Sequence, residues 1–259
     1  MEEAKSPEDR EDGGAPPRRE DLDRYPSTIL NNESLKDREA RVVAYDLPQG
    51  RVVLKEWKPK AGALIRWWSR RIIQREMRHY EALQGVRGIP RFLGRLDDRA
   101  FLMEYVEAQP IRRRLPRPLL ESGVKSLEGV LEGMHARRFV HLDLRNKGNI
   151  LIDAQGNAWV IDLQQGLDCS RGILRRILFP LLKRFDEKAI LKFRARYLPE
   201  TLDPSIRDRL VKKHTTRKTS WVPLLGNFLL NLMVKDGKSR LRFRARKRHR
   251  RPPCQTRDM

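Results

Sequence analysis

The densest run of chemistry-bearing residues is His141-Leu142-Asp143-Leu144-Arg145-Asn146-Lys147-Gly148-Asn149-Ile150-Leu151-Ile152-Asp153, and Val160-Ile161-Asp162-Leu163-Gln164 follows shortly after. Two carboxylates, Asp143 and Asp162, and one amide, Asn149, stand in polar stretches beside short apolar runs. Transfer of a phosphoryl group from ATP asks for such a set. It needs a carboxylate that orients an acceptor hydroxyl and takes its proton, oxygen ligands for the cations that bridge the phosphates, and a lysine for the phosphates that stay behind. Hard oxygen donors suit Mg²⁺, which keeps few protein ligands and completes its shell with phosphate and water. Taken singly, Asp143 reads equally as a turn aspartate and Asp162 as a strand-end aspartate. Their joint order carries the signal.

The elements that would position these residues lie upstream. RVVAYDLPQGRVVLKEW, from Arg41, holds two β-rich runs around the turn Leu47-Pro48-Gln49-Gly50 and reads as a hairpin, with Lys55 at the end of its second strand. Residues 65–84 carry Ile72, Ile73, Met77, Tyr80 and Leu83 at helical spacing, which predicts an amphipathic helix closed by Gly85, Gly88 and Pro90. Glu76 and Glu81 both sit on it, and the spacing to Leu83 favours Glu76 as the partner of Lys55. Strands follow over Arg91–Leu96 and Ala100–Val106, then a helix over Leu119–Arg137. From Gly172 the chain is mostly helical, with Leu174, Ile177, Leu178, Leu181 and Leu182 on one face. That face is expected to pack in the core, although Arg175, Arg176, Lys183 and Arg184 leave membrane docking open.

Strands and a helix followed mainly by helices predict a β-rich lobe and an α-rich lobe with a ligand cleft between them. Here the sequence resembles the protein-kinase-like superfamily. His141-x-Asp143, Asn149 and the strand-ending Asp162 stand in its order and near its spacing. The resemblance implies an α+β, two-lobed kinase-like fold, with a small β-rich N-lobe over 26–106 and a helical C-lobe over 107–237. It implies Asp143 as catalytic base, with Arg145 beside the transferred phosphate, and Asn149 and Asp162 as metal ligands. Lys55 would contact the α- and β-phosphates, held by Glu76. FLMEYVEAQP would be the strand and hinge that meet adenine, with Met103 as gatekeeper and Glu104, Tyr105 and Val106 offering backbone hydrogen bonds. His141 is expected to brace the loop rather than act as a base, and Asn149 is preferred to Asn146 because it precedes Ile150-Leu151-Ile152.

Three features depart from eukaryotic-type protein kinases. No Gly-rich loop precedes Lys55, the interval from Asp143 to Asn149 is one residue longer than usual, and the metal triplet reads Asp162-Leu163-Gln164. With these the chain looks more like the bacterial lipopolysaccharide kinases, which phosphorylate Kdo or heptose of the inner core and are related to RIO-like kinases. The implied function is transfer of the γ-phosphate of ATP to an inner-core sugar hydroxyl, with Mg²⁺, or Mn²⁺ in its place, as cofactor. A RIO-like protein serine/threonine kinase is the alternative. Against it, only Ser170 offers a hydroxyl between Gln164 and Tyr197 apart from Tyr197 itself. A catalytically silent kinase-fold binding module is the second alternative, supported by the missing Gly-rich loop.

Composition sets the remaining bounds. The 259-residue chain has a net charge of +22, a field that attracts anionic lipids, polyphosphates or nucleic acid. Cys169 and Cys254 make neither a metal cluster nor a disulfide framework, as suits a reducing compartment. Residues 1–25 offer almost nothing to bury and read as a disordered arm. The apolar run Trp221 to Val234, broken by Pro223 and Gly226, is too short to span a bilayer. A cytoplasmic protein is expected, with a peripheral place at the inner face of the cytoplasmic membrane left open. Gly237-Lys238-Ser239 resembles the end of a P-loop, but Leu232 occupies the position of its required glycine. The tail 238–259, with nine Lys or Arg between 238 and 251, reads as unpacked. Its second reading is contact with an anionic membrane surface, and nucleic acid ranks below because Phe243 is the one aromatic interleaved there.

Overall fold

The computed structural model describes residues 17–30, 40–57, 63–112 and 114–205. The segment 221–234, the tail 238–259 and residues 1–16 of the expected arm lie outside the described residues. In chain order the N-terminal elements are α1 (Arg19–Leu22), β1 (Ser27–Ile29), β2 (Arg41–Leu47), β3 (Gly50–Glu56), α2 (Ala63–Ala82), β4 (Phe92–Arg95) and β5 (Ala100–Glu104). There follow β6 (Ala108–Pro110), α3 (Arg117–Ala136), β7 (Phe139–Val140), β8 (Ile150–Asp153), β9 (Ala158–Val160), β10 (Leu167–Asp168) and α4 (Ile173–Tyr197).

The predicted hairpin forms, with Leu47 opposite Gly50 across a two-residue turn. Gly50 has φ 127°, a value that side-chain-bearing residues rarely adopt, so the tight turn needs glycine there. The hairpin is the centre of an antiparallel sheet in the order β1-β2-β3-β5-β4. Side chains alternate across a strand. Val53, Phe101 and Met103 therefore face α2, while Val52, Leu54, Ala100 and Leu102 face the other way. Lys55 shares the parity of Val53, which sends its side chain to the α2 side.

The opposite face is covered by Leu22, 1% exposed, with Tyr25 packed beside it. Arg19 Nη1 adds a 3.0 Å bond to Glu56 Oε2. Within residues 17–25, expected as the end of the arm, Leu22 is thus buried and Arg19 is paired with Glu56. Composition misleads because one leucine and one arginine are enough to cap a small apolar sheet face.

In the C-terminal part, α3 buries Leu120, Val124, Leu127, Leu131 and Met134 at helical spacing. A three-stranded sheet in the order β6-β8-β9 and a two-stranded β7–β10 pair frame the connecting loops. Gly88, φ 82°, lets the backbone approach α3 and β9, since a Cβ there would lie 2.3 Å from Val130 Cγ2 and 2.6 Å from the Ala158 carbonyl. One continuous core runs from the α2 face of the large sheet through α3 to Ala189, Phe193 and Tyr197 of α4.

Helix α4 forms as predicted but turns a different face inward. Of the five apolar residues expected in the core, only Leu182 is buried. Leu174, Ile177 and Leu181 are 58%, 68% and 55% exposed, and Leu178 is partly exposed. The inward face is Leu182, Asp186, Ala189, Phe193 and Tyr197. Helical spacing decides which residues share a face, and the packing of the second half of α4 decides which face turns in. Among the described residues no helix is long and apolar enough to cross a membrane.

Candidate functional site

The site assembles around Lys55. Its Nζ donates to Glu76 Oε1 at 2.7 Å and to Asp162 Oδ1 at 2.9 Å, so β3, α2 and the turn after β9 meet at one ammonium group. Lys55 and Glu76 are both buried. Burial by itself would lower the lysine pKa, but the carboxylates of Glu76 and Asp162 outweigh it and hold the pKa above its usual value. Burial raises the Glu76 pKa, with Lys55 opposing it. Glu81, the competing glutamate, is exposed.

Asp162 adopts a left-handed conformation, φ 63° and ψ 64°, and opens a 3₁₀ turn over Leu163–Gln165. Helix α2 grips this turn at several points. The Asp162 N–H donates to Tyr80 Oη at 3.3 Å, and the Leu163 N–H bonds Glu76. His79 Nδ1 lies 2.8 Å from the Leu163 carbonyl and must carry the proton, because a carbonyl only accepts. Arg75 Nη2 donates to the Gln164 carbonyl. Burial pushes His79 down to about 4, which the bond to Leu163 only partly offsets, and burial followed by the Glu76 charge raises Tyr80. Sequence reasoning did not single out Arg75, His79 and Tyr80 for this task. The signal was their position beside Glu76 at helical neighbour spacing, with His79 and Tyr80 at i+3 and i+4.

The loop bearing Asp143 is fixed from two sides. Asn149 Nδ2 donates to the carbonyl and to Oδ2 of Asp143, each at 3.1 Å. Asn146 instead uses its Oδ1 to accept from the Gly148 N–H and is exposed. His141 is buried, with Nε2 donating to the Ile161 carbonyl at 3.1 Å and Nδ1 accepting from the Asp143 N–H at 3.3 Å. Both ring nitrogens are occupied in tying the loop to the residue before Asp162, the bracing role expected of it. From the other side Asp186 of α4, fully buried, accepts from the N–H groups of His141 at 2.8 Å and Leu142 at 2.9 Å. Leu142 has φ 65°, and these bonds hold it in that strained region. Sequence reasoning missed Asp186, and its one signal was a lone acid among the apolar positions of α4.

Burial raises the Asp143 pKa, and the negative charge of Asp162 acts in the same direction. His141, the bond from Asn149 and Arg145 oppose the rise. Arg145 is exposed, with its charge directed at this carboxylate.

A cavity of about 610 Å³ opens between the β2–β3 turn and the β5–β6 connection, lined by Gly50, Arg51, Glu104, Tyr105, Val106 and Asp153 among others. Met103 is buried on β5 between Val53 and Phe92. The Glu104 N–H already donates to the Arg91 carbonyl at 2.9 Å, and the Val106 carbonyl accepts from Ala108 at 2.9 Å. These two backbone groups are therefore engaged within the protein. The Arg51 guanidinium lies 4.7 Å over the Tyr105 ring and bonds Asp46 at 2.5 Å, which joins the hairpin turn to the hinge.

No protein-family model matches the chain, and no curated protein matches it in sequence. Among solved structures it is similar to a Rio2 kinase–ADP/Mg²⁺–phosphoaspartate complex from Chaetomium thermophilum, with a TM-score of 0.52 and 18% identity. The match covers 71% of this chain and 60% of that one. With a hairpin-centred antiparallel sheet, a helix packed against it and a largely helical second lobe, the chain has a two-lobed, α+β, protein-kinase-like fold.

Proposed function

We propose that this chain is an ATP-dependent phosphotransferase whose acceptor is a sugar hydroxyl, that of Kdo or heptose in the lipopolysaccharide inner core. The observation that carries the reading is Lys55 bound at once to Glu76 and to Asp162, while Asn149 is bound to Asp143 and His141 ties the two segments together. A buried ammonium held by two carboxylates is a fixed positive charge, suited to the phosphates of ATP. Glu104, Tyr105 and Val106 border the cavity where adenine would lie, with Met103 behind them.

The donors present suit a divalent cation such as Mg²⁺, with Mn²⁺ as the alternative. Asp162 supplies a carboxylate, and Asn149, its Nδ2 turned to Asp143, has its amide oxygen left to offer. Among the described residues no three His, Cys, Asp or Glu converge as a metal cage. That agrees with an ion that relies on phosphate and water for most of its shell. When bound, the cation neutralises charge on the phosphate oxygens. Asp143, with its raised pKa, accepts the proton of the acceptor hydroxyl as that oxygen bonds to the γ-phosphorus and the bond to the ADP oxygen breaks. Arg145, two residues after Asp143, would attract the phosphoryl group. The Rio2 kinase complex holds ADP and Mg²⁺, which supports the same pair of ligands for this chain.

The short path from Asp162 to α4 favours a compact acceptor. Only the 3₁₀ turn and the two-residue β10 intervene, which leaves little chain on which to lay a peptide. Pro199-Glu200, which could mark the end of a kinase activation segment, falls in a 3₁₀ turn beyond α4. A RIO-like protein kinase is the second reading, favoured by the identity of the structural neighbour. Incubation with labelled ATP separates them. Transfer to core oligosaccharide supports the sugar kinase, whereas transfer to protein, including a hydroxylamine-labile label on the chain itself, supports the second. Absence of any thermal shift with millimolar ATP and Mg²⁺ would leave a silent binding module.

A further inference from the structure

The outward face of α4 is apolar for two turns and then cationic as far as the catalytic loop. Ile173, Leu174, Ile177 and Leu181 are 80%, 58%, 68% and 55% exposed, and Pro180 is exposed among them. At about 100° per residue this stripe is centred roughly 160° from the buried line of Leu182, Asp186, Ala189 and Phe193. It therefore points away from the body of the domain. Large side chains gathered in this way mark an interaction surface.

Charge identifies the partner. Between Asp168 and Asp186 the chain carries Arg171, Arg175, Arg176, Lys183 and Arg184 and no acid. Arg175, on the inward line, bonds the Asp168 carbonyl, while Arg176, bonded to the Ser170 carbonyl, and Lys183, paired with Glu187, stand at the flank of the stripe. Beyond Leu181 the same outward line continues through Arg184 and Lys188 to Lys192. This part of α4 runs beside the Asp143 loop, since Asp186 accepts from the N–H groups of His141 and Leu142 and Lys147 lies 5.9 Å over the Tyr197 ring. A proline within the helix and apolar residues ringed by cations suit an interfacial element whose side chains enter the acyl boundary while the cations meet anionic head groups.

We infer that the N-terminal half of α4 docks the protein on an anionic lipid surface, through Ile173, Leu174, Ile177 and Leu181 with Arg171, Arg176 and Arg184 at the rim. The cationic line then runs from the docked stripe along α4 towards the Asp143 loop. The docking stands apart from the proposed chemistry and can fail or hold without it.

The test is flotation of the full chain with phosphatidylcholine vesicles and with vesicles also containing phosphatidylglycerol. The wild type is expected to float only with the anionic vesicles. Ile177→Asp/Leu181→Asp is expected to bind roughly tenfold more weakly or worse at unchanged Tm, because both residues are exposed. Ile177→Trp should shift its emission to the blue on anionic vesicles alone. Equal binding of the double variant would assign the interaction to other basic segments and overturn the proposal. So would a Trp emission already blue and insensitive to vesicles, meaning that residues 221–234 or another segment of the chain cover the face. A dimeric wild type made monomeric by the double substitution would identify a second copy as the occupant instead.

Discussion

Asp186 Oδ1 accepts a 2.9 Å hydrogen bond from the backbone N–H of Leu142, the residue directly before Asp143. The other oxygen takes the N–H of His141 at 2.8 Å. A carboxylate on α4 therefore sets the backbone of the Asp143 loop from beneath. Asp186→Ala leaves two N–H groups without acceptors and frees Leu142 from its left-handed conformation. It is expected to lower stability by about 3 kcal/mol and to reduce kcat more than it raises the KM for ATP. Chemical denaturation and steady-state kinetics of the variant check both. A drop in stability with kcat untouched would reduce Asp186 to a purely structural support.

Lys55→Met leaves Glu76 buried without its cation and is expected to cost about 3 kcal/mol. Adding Glu76→Leu should restore most of that loss, since an apolar pair of similar volume can replace a buried ion pair. The thermal shift caused by ATP and Mg²⁺ should not return. Recovery of stability without recovery of nucleotide response is the expected signature, read by thermal unfolding with and without ATP.

Lys55 was legible from its place at the end of a predicted strand, ahead of the other landmarks in their order, and the parity it shares with Val53 turns it to the α2 side. Glu76 and Asn149 were legible from their spacing to Leu83 and to Ile150. What lay beyond reach were contacts between segments far apart in the chain. Asp186 meets His141 across 45 residues and His79 meets Leu163 across 84, and no local period marks either pairing. The inward face of α4 was misjudged for a related reason, since two apolar lines wind around that helix and only the packing of Phe193 and Tyr197 decides between them. Leu22 was overlooked because a single buried residue hardly registers in composition.

In the proposed reaction the raised pKa of Asp143 sets the acid limb of the rate profile. Its base form is lost as pH falls through that raised value, so activity should decline at a pH above the ordinary aspartate range of about 4. Stability has the opposite sign. With its folded pKa above the unfolded one, the group's stabilising contribution is present in acid and lost as pH rises through the folded pKa. At neutral pH, Asp143→Asn should therefore raise Tm slightly while cutting transfer on the order of 10²–10⁴-fold. A pH–rate profile and a melting curve of the variant test the two signs together.

His79 behaves in the reverse sense. Its folded pKa is pushed down to about 4, so the native state resists protonation that the unfolded chain accepts near 6.5. The contribution is complete above about 6.5 and is lost as pH falls toward 4, with a ceiling of about 3 kcal/mol. His79→Asn, which can still donate to the Leu163 carbonyl, should flatten the stability curve in that window. An unchanged slope between pH 6.5 and 4 would assign the acid sensitivity to other groups.

The cover that α1 places over the far side of the large sheet restricts how the molecule can be trimmed. Leu22, Tyr25 and Arg19 close over Val43, Leu54 and Leu102, and β1 lengthens the sheet by one strand. A version starting after residue 29 would bare that greasy underside and an unpaired strand edge together, inviting clumping in solution even though every candidate active-site residue is retained.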